Sequence, residues 1–130
     1  MSTNKPNIGI LDICVGNILS VEHAFRTIGA KVSLIRHNEN LGLYDALVIP
    51  GVGNFSKVMR YLDKNGWRNA LHEVAIVKEK PILGICLGMQ IFADVGEEGG
   101  QTKGLSWVSG EVKKLPIEID RKSTRLNSSH

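Results

Sequence analysis

From Ile8 onward, short apolar runs alternate with helix-length amphipathic stretches, the pattern of parallel strands joined by helical crossovers, and this order predicts an α/β fold. The run Ile8-Gly9-Ile10-Leu11, closed by Asp12, has no polar alternate, as a strand covered on both faces requires. After a turn, Asn17 is placed to cap a helix whose Ile18, Val21, Phe25 and Ile28 recur near helical spacing. Gly29 is placed to end that helix in a left-handed conformation. Residues 31–36 alternate Val32 and Leu34 with polar positions and predict a second strand, while residues 46–49 predict a third, stopped by Pro50.

A glycine turn then leads into a helix over 55–65, with Phe55, Val58, Met59 and Leu62 on one face, broken by Gly66. A further helical stretch over 67–80 runs through Leu71, Val74 and Val77 and stops before Pro81. Residues 82–85 predict a fourth strand, followed at once by a helical stretch over 87–95 with no room for a loop between them. Residues 97–104 read as a polar, glycine-rich loop, and 105–115 as two short strand-like pieces around Ser109-Gly110. The regular pattern fades near Ile119. The stretch 120–130 has no periodicity and resembles a translated sequencing adapter, so the expected domain is residues 1–119 with a non-native tail after it, and the parent gene product is expected to be longer.

Composition narrows the classes. A chain of 130 residues that is 42% hydrophobic and 22% charged has the make-up of one globular domain. A net charge of +3, with the signs interspersed, makes no cationic footprint for a phosphate backbone, so nucleic acid is not an expected partner. No apolar run approaches the roughly 18 residues that would span a bilayer, and the N-terminus lacks a signal-peptide core; the expectation is a cytoplasmic protein with no membrane association. Cys14 and Cys86 lie far apart without metal-ligand spacing, so neither a disulfide framework, a metal site nor a cofactor is expected. The sequon Asn54-Phe55-Ser56 would carry weight only in a secreted chain.

The abrupt strand-to-helix junction is where chemistry is expected. Gly84-Ile85-Cys86-Leu87-Gly88 has the G-x-nucleophile-x-G spacing of a sharp turn in which flanking glycines relieve crowding around a strained, exposed nucleophile. A helix opening at Leu87 would favour thiolate at Cys86, and the Leu87 N–H would face a developing oxyanion. Gly51-Val52-Gly53, after Pro50, offers a second source of bare backbone amides, although a tight turn after a strand is the plainer reading of such glycines. The plainer reading of a lone cysteine is a small core residue, and it is kept for Cys14; the paired glycines argue against it for Cys86. His23, His37, His72 and His130 show no His-x-Glu spacing, so the base that a cysteine nucleophile needs is not among the expected site residues.

The segment Gly84-Ile85-Cys86-Leu87-Gly88-Met89-Gln90, together with Pro50-Gly51-Val52-Gly53 and Asp12 followed by Gly16-Asn17, resembles the class I glutamine amidotransferases. Within them it looks like the glutaminase subunits of imidazole glycerol phosphate synthase, the HisH type, over about residues 7–115. The resemblance implies a flavodoxin-like, three-layer fold with a mostly parallel sheet, incomplete at its C-terminus. It implies hydrolysis of glutamine to glutamate and ammonia through a thioester on Cys86, with Leu87 and Gly51, Val52 and Gly53 at the oxyanion and Gln90 holding substrate. It also implies a heterodimer with a cyclase barrel subunit of the HisF type, which takes up the ammonia in histidine biosynthesis, with Asn17 near that interface. Ile13 and Cys14 depart from the family, which usually has an aromatic or small polar residue and then a glycine after Asp12. The family's His-x-Glu lies further along a longer chain, so this polypeptide is expected to be inactive alone. Two alternatives stand beside this reading: a flavodoxin-like cysteine protein acting on peroxides or reactive carbonyls, and a non-catalytic fragment with a buried Cys86.

Overall fold

The structure is a computed structural model that describes residues 4–13, 17–98 and 100–115. Its main sheet has four strands, β1 (Asn7–Leu11), β2 (Lys31–Ile35), β3 (Ala46–Gly51) and β4 (Ile82–Cys86), in the order β2-β1-β3-β4 with every pairing parallel. The chain steps one way from β1 to β2 and the other way to β3, so the sheet has a switch point between β1 and β3. Crevices at the carboxyl ends of strands on either side of such a point are where α/β sheets bind ligands.

Helices cover both faces. The helix α1 (Ile18–Thr27) lays Ile18, Val21 and Phe25 against Ile8, Ile10, Val32 and Val48 on one side. On the other, α2 (Phe55–Lys64) and α3 (Trp67–His72) pack Phe55, Met59, Leu62, Trp67 and Leu71 onto Leu11, Leu47 and Ile49. This second cluster contains most of the fully buried large side chains. At about 1.5–3 kcal/mol for each one removed from water, it is the principal source of cohesion. The three layers and the parallel sheet match the flavodoxin-like expectation, and β1 is buried along Ile8 to Leu11 as its unbroken apolar run requires. Asn17 caps α1 by accepting from the Ser20 N–H at 3.3 Å, and Gly29 follows at φ +98°. Among the described residues no helix is long and apolar enough to cross a membrane.

Several local expectations are corrected. Pro50 does not stop β3, which runs on to Gly51. Pairing of β3 with β1 ends at Val48, so the missing Pro50 N–H has no partner to lose on that side, while Pro50 and Gly51 still lie in register with Ile85 and Cys86. The helical stretch after Gly66 is α-helical only to His72 and then widens into a π turn, Glu73–Val77, in which the Lys78 N–H reaches the Glu73 carbonyl at 2.9 Å. The β-branched run Val74, Ile76 and Val77 suits the wider turn, and the extra residue rotates Val77 to the solvent while Val74 stays in the core. The helix expected over 87–95 is a single turn, α4 (Leu87–Gln90). The carbonyls of Ile91, Phe92 and Ala93 accept instead from the N–H groups of Leu105, Trp107 and Ser106, so a returning segment takes the bonds that would have extended the helix.

That returning segment builds a second, three-stranded sheet from β5 (Val95–Gly96), β6 (Thr102–Lys103) and β7 (Glu111–Val112), in the order β6-β5-β7. The expected loop over 97–104 therefore contains a strand, and 105–115 contains one strand rather than two. Cys14, Gly16, the expected boundary at 119 and the tail 120–130 lie outside the described residues.

Candidate active site

β4 passes into α4 with no linking residue, and the direction changes at Cys86, which adopts φ 55° and ψ −119°. A side chain held at such a positive φ costs on the order of 1–3 kcal/mol and persists only where the surroundings impose it. Here they do. A Cβ built on Gly84 would stand 2.6 Å from the Met89 Cα, and one built on Gly88 would overlap the Ile49 carbonyl oxygen. Both obstacles are backbone, so the glycines permit a close approach that no larger residue allows. The bend turns Cys86 outward as an exposed free thiol, and the alternative of a cysteine sealed in the core does not hold. Because α4 is only one turn long, the expected support of a helix dipole comes down to the N–H groups of that turn.

Gly51 lies in register with Cys86 across the β3–β4 ladder, so the loop that leaves β3 starts beside the thiol. Between them opens a cleft of about 700 Å³ bordered by Gly51, Val52, Gly53, Cys86, Leu87 and Gln90. Six of the seven sequence-selected site residues are thus brought together. The seventh, Asn17, is not: it is spent on the cap of α1 and does not border the cleft. Asp12 is also apart from it, its carboxylate 2.9 Å from the Arg36 Nε. His23, His37 and His72 are exposed, and no histidine among the described residues borders the cleft.

The opposite wall was not foreseen. Asn54, Glu97, Glu98, Val112, Lys113 and Lys114 complete the lining, so two acidic and two basic residues border the same space as the thiol. The carboxylates and lysines arrive through the second sheet, where the Glu97 N–H donates to the Val112 carbonyl at 2.9 Å, a pairing with no signature in sequence spacing. Asn54 did carry a signal. It directly precedes an apolar-periodic run and accepts from the Lys57 N–H at 3.1 Å, as an N-cap does. The sequon residues are therefore engaged within the fold, since Ser56 is also buried. A second cavity of about 590 Å³ adjoins the cleft through Val52, Gly53, Asn54 and Glu98 and extends to Ile13, Val58 and Tyr61. Among the described residues no group of His, Cys, Asp and Glu side chains could hold a metal ion.

Comparison with known proteins bears on the family and the fold. The family "Glutamine amidotransferase class-I" matches residues 7–129. A protein of Campylobacter jejuni strain 81-176 named imidazole glycerol phosphate synthase subunit HisH 1 is 43% identical over 115 residues, covering 88% of this chain and 57% of its own. The subunit HisH of Exiguobacterium sibiricum is 43% identical over 112 residues, covering 86% and 56%. That of Bacillus licheniformis is 37% identical over 123 residues, covering 95% and 57%. The chain thus spans a little over half the length of these curated relatives. Among solved structures, a glutamine amidotransferase superposes with a TM-score of 0.69 at 18% identity, over 82% of this chain and 56% of that one. A putative peptidase E protein from Listeria monocytogenes EGD-e superposes at 0.60 and 14%, over 69% and 50%. Both likenesses concern the fold alone.

Proposed function

The chain belongs to the class I glutamine amidotransferase family, and on that premise we propose that its protein is the glutaminase subunit of an imidazole glycerol phosphate synthase. It would hydrolyse glutamine and pass ammonia to a cyclase barrel subunit in histidine biosynthesis. The observation that carries this reading is the placement of an exposed Cys86, on a strained bend, in one cleft with Gly51, Val52, Gly53, Leu87 and Gln90. The names of the relatives, all HisH subunits, support the same assignment.

In the proposed reaction the Cys86 sulfur bonds to the side-chain carbonyl carbon of glutamine. The carbonyl electrons move onto oxygen, where amides of Leu87 and the 51–53 loop meet the charge. The base that takes the thiol proton returns it to the nitrogen as collapse of this intermediate breaks the C–N bond, and ammonia leaves. Water then opens the thioester to glutamate and restores the thiol. Splitting a hard amide hydrolysis into two steps is the gain from covalent catalysis. Gln90, one helical turn past Cys86, is the proposed partner of the bound glutamine, and Asn17 stays a proposed contact of the cyclase subunit. The reading needs a base that no described residue supplies at the cleft. The peroxide or carbonyl alternative draws no support from these likenesses.

The test is covalent labelling of Cys86 by the chloroketone analogue of glutamine. We expect stoichiometric modification of Cys86, slowed by free glutamine but not by glutamate's decarboxylated relatives, and none in Cys86→Ala. Labelling that glutamine fails to slow would reject the assignment.

A further inference from the structure

We propose that Ser56 is a positioning residue that ties the acidic wall of the cleft to the helix continuing from the 51–53 loop, so that both walls hold substrate as one unit. The inference rests on the reading of the cleft as a glutamine site. Its basis is the first turn of α2. Asn54 lines the cleft and caps that helix. Phe55, fully buried, lies flat under Gly96, where an added Cβ would stand 2.5 Å from the ring. Ser56, at 2% exposure the one buried polar side chain among the described residues, bonds to the Glu98 carbonyl at 2.6 Å and to the Thr102 hydroxyl.

The direction of these bonds follows from proton counting. A carbonyl can only accept, and a serine hydroxyl has one proton, so Ser56 donates to Glu98 and Thr102 donates to Ser56. Neither partner belongs to the helix: Glu98 borders the cleft, and Thr102 is the first residue of β6. Glu97 is already anchored by Val112, so Ser56 adds the second fixed point, one residue further along. Three consecutive residues, 54–56, therefore meet the cleft lining at Asn54, the second sheet at Gly96 and the segment that carries Glu98. A displacement of α2 would move the 51–53 loop and the backbone at Glu98 together.

The prediction separates positioning from bulk stability. In Ser56→Ala, hydrogen exchange across 97–102 should quicken roughly thirtyfold, the size of two lost buried hydrogen bonds. Alkylation of Cys86 by iodoacetamide, which needs only an exposed thiol, should stay within about twofold. The concentration of the chloroketone glutamine analogue needed for half-maximal labelling should rise roughly tenfold with little change in the limiting rate, as for lost ground-state binding. Ser56→Thr, which keeps the hydroxyl, should restore both the exchange and the half-saturation. If Ser56→Ala fails to fold, Thr102→Val removes one of the two bonds and should shift exchange and half-saturation in the same direction. Unchanged exchange over 97–102, or an equal loss with both reagents, would overturn the proposal. If glutamine does not slow labelling in the unsubstituted protein, the glutamine reading fails, and exchange alone still decides whether Ser56 joins the walls.

Discussion

Two strand-to-helix junctions stand side by side at the mouth of the cleft and solve the same problem in opposite ways. Between β3 and α2, residues 52–54 intervene, Gly53 takes φ +120°, and the Asn54 side chain caps a ten-residue helix. Between β4 and α4 nothing intervenes, no side chain caps the helix, and a residue with a Cβ occupies the positive-φ position. The first junction places its unusual conformation on a glycine, where it is inexpensive and leaves bare amides. The second places it on Cys86 and holds it there by the close backbone approach that Gly84 and Gly88 permit. A nucleophile gains from being fixed at one angle, whereas an oxyanion cradle gains from having no side chain in the way.

The largest effect expected from breaking this contrast is at Gly88. A methyl group there meets the Ile49 carbonyl, which cannot swing aside without unpairing β3 from β4. Gly88→Ala should destabilise by about 3 kcal/mol or more, at the upper end for overpacking. Gly53→Ala is the matched control, since nothing lies within 4 Å of its added Cβ and only the positive φ opposes it; about 1 kcal/mol is expected. Urea midpoints of the two variants measure the difference. Equal losses would mean that the approach of Gly88 to the Ile49 carbonyl does not hold the second junction.

The contrast was partly legible in the sequence. The glycines at both sides of Cys86 mark the elbow, and apolar or alternating runs mark all four strands of the main sheet, because such runs are set by local patterning. What patterning does not contain is the competition between segments. Residues 91–93 have helical spacing, yet their carbonyls are claimed by residues 105–107, thirteen to fifteen positions further on. Glu98 and Ser56 are invisible for the same reason: each acquires its place through the other, across 42 residues. Pro50 misled because its effect depends on which neighbour strand has already ended.

A smaller effect is expected at the capped junction. Asn54→Ala removes the acceptor of the Lys57 N–H and should lower stability by about 1 kcal/mol, the usual loss for an N-cap. Asn17→Ala, whose bond to the Ser20 N–H is longer at 3.3 Å, should lose less. Thermal or urea unfolding of both variants checks the order, and a larger loss at Asn17 would contradict the view that the cleft-side helix is the better anchored.

The smallest change carries the sharpest meaning. Cys86→Gly removes a Cβ from a conformation that resists one, which should return part of the roughly 1–3 kcal/mol held in the bend. Against this, glycine gains freedom in the unfolded chain, worth about 0.5–1 kcal/mol. Cys86 is exposed, so little burial is lost with its side chain. The balance predicts that Cys86→Gly is more stable than Cys86→Ala by up to about 1 kcal/mol, the reverse of the order at an ordinary strand or helix position, while both variants lose the thiol. Paired urea titrations read this sign directly. If alanine proves the more stable, the bend is relaxed, and the exposure of the sulfur has to be explained by the neighbouring loops rather than by strain at Cys86 itself.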